Sequence, residues 1–187
     1  MLAAKLITQR LLMRPWQPRD KEPFFAINCE PAVYQFLGPL TRDKSDAMID
    51  RANANFAAQG WGRWALEERE SGYLIGHCGF MPVPSDLPVA PGVEIGWRLS
   101  ERWQGKGLAR EAAEAALRHG FDVLGFDRVL SYTTPPNTAS WGLMERLGMT
   151  FVRGFDHPNI PEGQLLRRHV LYELGRSAFR KAGSAQE

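Results

Sequence analysis

The most constraining feature of this sequence is a strand that leads through a glycine-containing loop into a helix. The strand pattern covers Val93–Leu99, and Gly105-Lys106-Gly107 opens the helix predicted over residues 105–121. Glycine lets a backbone approach a ligand closely, and the start of a helix presents unpaired N–H groups and the positive end of the helix dipole. The segment therefore predicts a binding site for an anion.

The charges around this loop strengthen that prediction. Acidic residues are normally favoured in the first turn of a helix, yet Arg102, Lys106 and Arg110 stand here. Each exposed cation near the start of a helix destabilises it by about 0.3–1 kcal/mol, because the cation is repelled by the positive end of the helix dipole. A bound phosphate would attract the same cation and so turn this destabilisation into a favourable interaction. The alternative, that these are solvated surface charges, stays open.

Two well-known glycine loops for phosphates do not fit the sequence. Gly107 follows Lys106 where a Walker motif needs serine or threonine, and the earlier glycine of that motif is missing. The dinucleotide fingerprint requires a third glycine and an early βαβ unit, which are missing as well. The anion must therefore be held by a different kind of loop.

The rest of the chain alternates strand and helix patterns without a repeat or a linker. An extended pattern covers residues 6–16, and helical patterns cover 20–29 and 43–59. Further strands are predicted over Arg63–Glu68, 74–83, Arg128–Thr133, 149–156 and 168–174, with a helix over 138–147. Hairpins and crossovers together predict an α/β sheet with parallel and antiparallel pairs. We expect one domain over residues 1–174 and a polar, flexible tail over 175–187.

Composition excludes several classes of partner. The 187 residues carry a formal net charge of only +2, which gives no field that would attract nucleic acid or a membrane surface. Cys29 and Cys78 are too few and too far apart for a disulfide framework or a metal site. No signal peptide or membrane span is recognisable, so we expect a cytoplasmic protein without metal, nucleic acid or membrane as a partner.

Three motifs resemble the GNAT superfamily of N-acetyltransferases. Arg102-x-x-Gly105-x-Gly107-x-Ala109 is similar to the pyrophosphate loop of that family, and Asn137-x-x-Ser140 followed by Leu147-Gly148-Met149 is similar to its second signature. The run Glu94-Ile95-Gly96-Trp97 is similar to the branch of ribosomal-protein N-terminal acetyltransferases. The resemblance spans residues 6–174 and implies a central mixed, mostly antiparallel twisted sheet of about six to seven strands, flanked by about four helices.

The resemblance implies acetyl-CoA as co-substrate and assigns the residues that hold it. Backbone N–H groups of the loop would bind the pyrophosphate, the end of the preceding strand would lie along the pantetheine arm, and an asparagine would contact the acetyl end. These residues are Trp97, Arg98, Leu99, Arg102, Gln104, Gly105, Lys106, Gly107, Leu108, Ala109 and Asn137. Asn137 follows two prolines, so a helix cap is its alternative role.

Two side chains are candidates for catalysis, because acetyl transfer needs a base for the amine and a proton for the departing thiolate. Glu94 is the candidate base, with a solvated strand residue as the alternative. His77 is expected to be a hydrogen-bonded core histidine, with catalysis as the alternative. Many family members place a tyrosine seven residues after the asparagine, where this chain has Met144. Ser140 is therefore the candidate acid, with Tyr132 behind it.

The sequence thus predicts an acetyl-CoA-dependent N-acetyltransferase that acts on a primary amine by direct attack on the thioester. An α-amino group with a pKa of about 7.7 is partly neutral at pH 7, whereas a lysine at about 10.4 is not. We therefore expect a protein N-terminus or a weakly basic small molecule as acceptor, with residues 61–64 and 82–92 shaping its pocket. A homodimer is left open. The alternative from another class is a non-catalytic acyl-CoA-binding sensor, which Met144 favours.

Overall fold

The computed structural model describes residues 5–36 and 38–183. Its strands are β1 (Leu6–Ile7), β2 (Leu11–Arg14), β3 (Arg63–Glu68), β4 (Leu74–Pro82), β5 (Val93–Leu99), β6 (Arg128–Thr133), β7 (Thr150–Asp156) and β8 (Arg168–Gly175). Its helices are α1 (Lys21–Asn28), α2 (Pro31–Tyr34), α3 (Arg42–Gln59), α4 (Leu108–Asp122), α5 (Thr138–Arg146) and α6 (Arg176–Gly183). The strands form one mixed sheet in the order β1-β2-β3-β4-β5-β6-β8-β7. The predicted α/β class is confirmed, although the described ranges hold eight strands and six helices, more than expected.

The chain folds as two compact units, each made of two separate stretches. The first takes the residues up to Met81 together with Gly96–Ala116, and the second takes Pro82–Ile95 together with the residues from Leu117 onward. The expectation of a single domain over residues 1–174 stays a prediction.

In the first unit, α3 begins and ends where local chemistry directs it. The Thr41 hydroxyl caps the helix by accepting the N–H of Lys44 at 3.4 Å, and Gly60 ends it with a φ of +79°. Its buried face packs with α1 and β3 in one apolar cluster, formed by Trp16, Phe24, Ile49, Ala52 and Ala65. The predicted helix and its glycine stop are confirmed.

A buried ion pair ties β2 to the start of α1 in the same unit. The two terminal nitrogens of Arg14 donate to Asp20 at 2.7 and 2.9 Å, and its Nε donates to Glu67 at 2.9 Å. Arg14 and Asp20 are only 3% and 2% exposed. The hydrogen bond to Asp20 raises the pKa of Arg14 above its ordinary value, although burial acts against it. The pair therefore places a fully compensated charge inside the core.

In the second unit, β6, β8 and β7 form an antiparallel ladder, and the tail that was expected to be flexible continues from it as α6. The rings of Phe179 and Phe121 lie 5.1 Å apart, and Arg180 pairs with Asp122 at 3.1 Å. The segment is thus helical through Gly183 because Phe179 gives it an apolar anchor. Residues 184–187 lie outside the described residues. Within the part of the chain that the structure describes, no helix has the length and apolar character needed to cross a bilayer.

We expect Asp20→Asn to lower the free energy of unfolding by about 3–5 kcal/mol, because it leaves the buried charge of Arg14 uncompensated. The matched control is Glu22→Gln, two residues along the chain in the first turn of α1, since Glu22 pairs with Arg42 while its side chain is 76% exposed. That control should change stability by about 1 kcal/mol or less. Urea titration followed by circular dichroism measures both values, and equal losses in the two variants would contradict the assignment.

Candidate active site

The loop between β5 and α4 is shaped by two left-handed glycines. Gly105 and Gly107 have φ values of +71° and +78°, a region that favours glycine. Because an α-helix does not include such residues, α4 begins at Leu108 and the prediction of a helix from residue 105 is wrong. At the other end of the loop, the side-chain amide of Gln104 donates to the Leu99 carbonyl at 2.8 Å.

This loop presents a row of backbone N–H groups without an acceptor among the described residues. The N–H of Gln104 donates back to Glu101 at 3.1 Å, and the N–H of Glu111 donates to Gly107 at 3.0 Å. Between these two, the N–H groups of residues 105–110 have no backbone acceptor within 5–36 and 38–183. A row of open donors at a helix start is a ready site for a phosphate group.

Positive side chains flank the row, as the sequence predicts. Arg102 and Lys106 are exposed, and their Cζ and Nζ atoms lie 5.5 and 5.0 Å from the centroid of the Trp103 ring. Arg110, in contrast, pairs with Glu114 at 2.7 Å, so its charge is largely compensated. The cations available to a ligand at this loop are therefore Arg102 and Lys106.

The acid in the first turn of α4, Glu111, is neutralised by residues that sequence reasoning missed. Its carboxylate accepts from the Thr8 hydroxyl at 2.6 Å and from Arg10 Nε at 2.7 Å. Arg10 Nη1 also donates to the Lys106 carbonyl at 2.9 Å. Burial alone would raise the pKa of Glu111, but these hydrogen bonds outweigh burial and lower it below its usual value. Arg10 thus braces the loop and cancels a negative charge that would repel an anion.

At the end of β5, the predicted cofactor residues Trp97, Arg98 and Leu99 all have buried or half-buried side chains. Leu99 is 5% exposed, and Trp97 is half-buried. Arg98 turns toward α1, where its Nη1 donates to Asn28 Oδ1. Burial, followed by the nearby charge of Arg63, lowers the pKa of Arg98 to about 10. The side chain of Leu99 is thus buried and that of Arg98 is bonded to α1, and the cofactor roles of Trp97, Arg98 and Leu99 stay predictions.

The candidate base, Glu94, lies in the part of β5 that belongs to the second unit. It stands opposite Leu130 in the parallel pair of β5 with β6, and it is only 8% exposed. The Ser131 hydroxyl donates to the Ile95 carbonyl at 2.9 Å and links the two strands beside it. The alternative of a solvated strand residue is therefore wrong, and the role of base stays a prediction.

Asn137 and Ser140 lie together at the start of α5, also in the second unit. The Asn137 Oδ1 accepts the N–H of Ser140 at 3.3 Å, and its Nδ2 donates to the Thr133 hydroxyl at 3.0 Å. The helix-cap alternative for Asn137 is thus confirmed, and its contact with the acetyl group stays a prediction. Met144 is 1% exposed, so the residue at the usual tyrosine position belongs to the core.

His77 lies in β4 and departs from expectation. It is 3% exposed, and its ring packs 5.7 Å from that of Phe24. Neither ring nitrogen has a hydrogen-bond partner among the described residues. Burial, followed by the charges of Arg63 and Arg98, lowers the pKa of His77 well below its usual range. The expectation of a core position is confirmed, and that of a hydrogen-bonded ring is wrong.

The two segments expected to shape the acceptor pocket differ in burial, since residues 61–64 are mostly buried whereas residues 82–92 bury three side chains and expose most of the others. Within residues 82–92, three side chains join a buried cluster against which Tyr132 also packs; they are Val83, Leu87 and Val89. Within residues 61–64, Trp64 is 0% exposed and packs edge-on against Phe56 and Phe80. The buried side chains of these segments therefore stabilise the two units.

The structure places the predicted cofactor residues 97–99, 102 and 104–109 in the first unit, and Glu94, Asn137 and Ser140 in the second. Across residues 5–36 and 38–183, no group of three or more His, Cys, Asp or Glu side chains is arranged to hold a metal ion.

Comparison with known proteins identifies the family. The sequence model of the acetyltransferase (GNAT) domain matches residues 10–150. The uncharacterized N-acetyltransferase YnaD of Bacillus subtilis is 28% identical over 160 residues, which are 84% of this chain and 89% of that protein. The ribosomal protein uS5-alanine N-acetyltransferase of Escherichia coli is 30% identical over 149 residues, 79% of this chain and 67% of that protein. The FsC-acetyl coenzyme A-N(2)-transacetylase of Aspergillus fumigatus is 28% identical over 174 residues, 86% of this chain and 73% of that protein.

The solved structures agree with this result. The crystal structure of an acetyltransferase from Agrobacterium tumefaciens matches with a TM-score of 0.76 and 27% identity, covering 93% of this chain and 95% of that chain. The family match itself spans most of the chain, from β2 to the start of β7. The chain therefore belongs to the GNAT family and is an acetyl-CoA-dependent N-acetyltransferase.

Proposed function

We propose that this N-acetyltransferase moves the acetyl group directly to a primary amine, carried by a protein N-terminus or a small molecule, and binds acetyl-CoA through the β5–α4 loop. The observation that carries the proposal is the row of N–H groups at residues 105–110, flanked by Arg102 and Lys106. A pyrophosphate offers the acceptor oxygens and the negative charge that these donors lack within the described residues. The loop therefore fits the phosphate end of acetyl-CoA.

Acetyl-CoA, when bound, supplies an activated acetyl group and a thiolate that can leave. Glu94 would take a proton from the ammonium form of the acceptor, directly or through a water molecule. Its 8% exposure keeps the carboxylate out of bulk solvent. Ser140, whose hydroxyl has no hydrogen bond to the described residues, would return a proton to the sulfur. Asn137 holds Ser140 in place through its cap.

The names of the relatives point to different acceptors. Of the relatives, one is named for the alanine of ribosomal protein uS5 and another for FsC, so their names favour no single acceptor. Cys29 and Cys78 are both free thiols, which fits the cytoplasmic location that we propose.

Turnover with a panel of amines tests the proposed function. The panel contains peptides with a free N-terminus, N-terminally blocked lysine peptides and small amines, each with saturating acetyl-CoA. We expect thiol release together with an acetylated product, faster for α-amines than for lysine because more of the α-amine is neutral at pH 7. Binding of acetyl-CoA without an acetylated product from any amine would favour the non-catalytic sensor instead.

Gly105→Asp should weaken acetyl-CoA binding by about tenfold or more, because it brings a carboxylate to the pyrophosphate site. Space is not limiting, since nothing lies within 4 Å of a Cβ at Gly105. Gly72→Asp is the matched control, because Gly72 has a similar φ of +69° and equally open surroundings in the β3–β4 turn. Titration calorimetry on folded variants measures both affinities, and equal losses would contradict the role of the loop.

Glu94→Gln should lower kcat/KM most at low pH, where few amines are neutral and a base is needed, and least at high pH. Glu70→Gln, on the exposed β3–β4 turn, serves as the control. The measurement is the full pH profile of kcat/KM for one amine. A loss of equal size at every pH would assign Glu94 a structural or binding role.

Ser140→Ala should reduce kcat by about 10²-fold, near the lower end for general acids, because a thiolate needs less help than an alkoxide. Thr138→Ala removes a hydroxyl from the same helix and should leave kcat unchanged. Both are measured with acetyl-CoA saturating, together with the coenzyme A dissociation constant. Full kcat in Ser140→Ala would show that the proton comes from water or from Tyr132.

A further inference from the structure

A small cavity of about 30 Å³ lies within the first unit, lined by residues of α1, α3, β3 and β4. Trp16 and Phe24 form part of its wall, and Arg51, Arg63 and His77 contribute nitrogen atoms. No carboxylate is among the described residues that line it. The described lining of the cavity therefore combines an apolar wall with an imidazole and with the exposed cation Arg51.

His77 provides the first sign that this cavity holds a ligand group. Its side chain is 3% exposed, and both ring nitrogens lack a hydrogen-bond partner among the described residues. A buried polar group without a partner costs about 1–3 kcal/mol, so native proteins rarely retain one unless it has a role. A neutral imidazole offers one donor and one acceptor to whatever enters the cavity.

Arg98 provides the second sign, independent of His77. Its guanidinium contacts Asn28 Oδ1 and lies 3.8 Å from the sulfur of Met48, a residue of the cavity wall. The Nε atom is buried and has no hydrogen-bond partner in the part of the chain that the structure describes. No carboxylate contacts Arg98 there, in contrast to the fully paired Arg14. A buried cation in this state is stabilised by an anion placed nearby.

The cavity adjoins the strand on which the reaction depends. The Arg63 side chain that lines it also lies against β5, where a methyl group built on Gly96 would come within 3.0 Å of Arg63 Nη2. Gly96 directly precedes Trp97, the first residue of the proposed pantetheine strand. A group held in the cavity would therefore belong to a molecule that reaches β5.

We propose that this cavity is an anion subsite for the acceptor, which takes a carboxylate carried by the same molecule as the reacting amine. The proposal rests on the proposed function, because it names the class of acceptor for that site. One water molecule needs about 10–15 Å³ by the same measure, so a cavity of about 30 Å³ accommodates a carboxylate but not a whole acceptor. The acceptor is thus an amino acid or a peptide that begins with an acidic residue, since both carry this chemistry.

Matched pairs of acceptors test the proposal and separate the two sources of carboxylate. Methionine against methioninamide tests an α-carboxylate, and tripeptide amides that begin with aspartate or asparagine test a side-chain carboxylate. A carboxylate raises the pKa of the neighbouring amine and so makes less of it neutral, which by itself favours the amide. We expect kcat/KM to be about tenfold higher for the acid in at least one pair, the effect of one charge-assisted hydrogen bond.

Two variants locate the preference in the cavity. Arg51→Gln removes an exposed cation from the wall and should fold normally, and His77→Gln alters the buried group. We expect the ratio of kcat/KM for the acid to kcat/KM for its matching amide to fall about threefold in Arg51→Gln and about tenfold in His77→Gln. Arg42→Gln, at the exposed start of the same helix, is the matched control and should keep the ratio of the unchanged protein.

The outcomes distinguish this proposal from the proposed function. Equal kcat/KM for both members of every pair, with turnover intact, would overturn the subsite and leave the transferase standing. If no amine is acetylated, an NMR titration of the His77 imidazole signals tests the subsite. These signals are assigned by their absence from the spectrum of His77→Gln. They should shift with methionine or the aspartate peptide but not with the matching amide, and signals that do not move would overturn the subsite by themselves.

Discussion

The proposed site depends on a row of backbone donors that have no acceptor among residues 5–36 and 38–183. Residues 105–110 keep their N–H groups open because Gly105 and Gly107 hold the chain in left-handed turns before α4 begins. The Gln104 side chain fixes the loop to the end of β5, and Arg10 fixes it from the β1–β2 hairpin. Arg10 and Thr8 also neutralise Glu111, so the positive end of α4 is not cancelled by its own first turn.

The first unit contains two buried arginines in opposite electrostatic situations. Arg14 has two carboxylates, Asp20 and Glu67, and it therefore serves stability. Among the described residues, Arg98 has the amide oxygen of Asn28 and a thioether beside it but no carboxylate, and burial lowers its pKa to about 10. Retaining such a group is unfavourable for stability alone, which is why we connect it with acceptor recognition. The β5–α4 loop and the cavity lined by His77 and Met48 thus both leave hydrogen-bonding groups open for ligands.

Local signals in the sequence were sufficient for much of the fold. The strand patterns gave the bounds of β3, β5 and β6, and the stop of α3 at Gly60 followed from a glycine that ends a helical repeat. The start of α4 was misplaced by three residues because composition does not reveal that both loop glycines adopt a positive φ. The helix α6 was missed because its anchor, Phe179, is one apolar residue in a polar segment.

The candidate site was predictable where it is local and unpredictable where it depends on distant contacts. The loop, its cations and the cap at Asn137 are read from neighbouring residues. The neutralisation of Glu111 by Arg10 joins positions 101 residues apart, which no spacing rule anticipates. The missing partners of His77 depend on how three elements pack around it, and a strand pattern carries no information on that.

A crystal structure of the protein with coenzyme A would show whether the β5–α4 loop holds the pyrophosphate. We expect pyrophosphate oxygens to accept hydrogen bonds, at about 2.9 Å, from N–H groups of residues 105–110. We also expect Arg102 and Lys106 to be the nearest cations to these oxygens and the Arg10–Glu111 pair to persist. A pyrophosphate bound elsewhere, with the N–H groups of the loop still open, would contradict the role proposed for the loop.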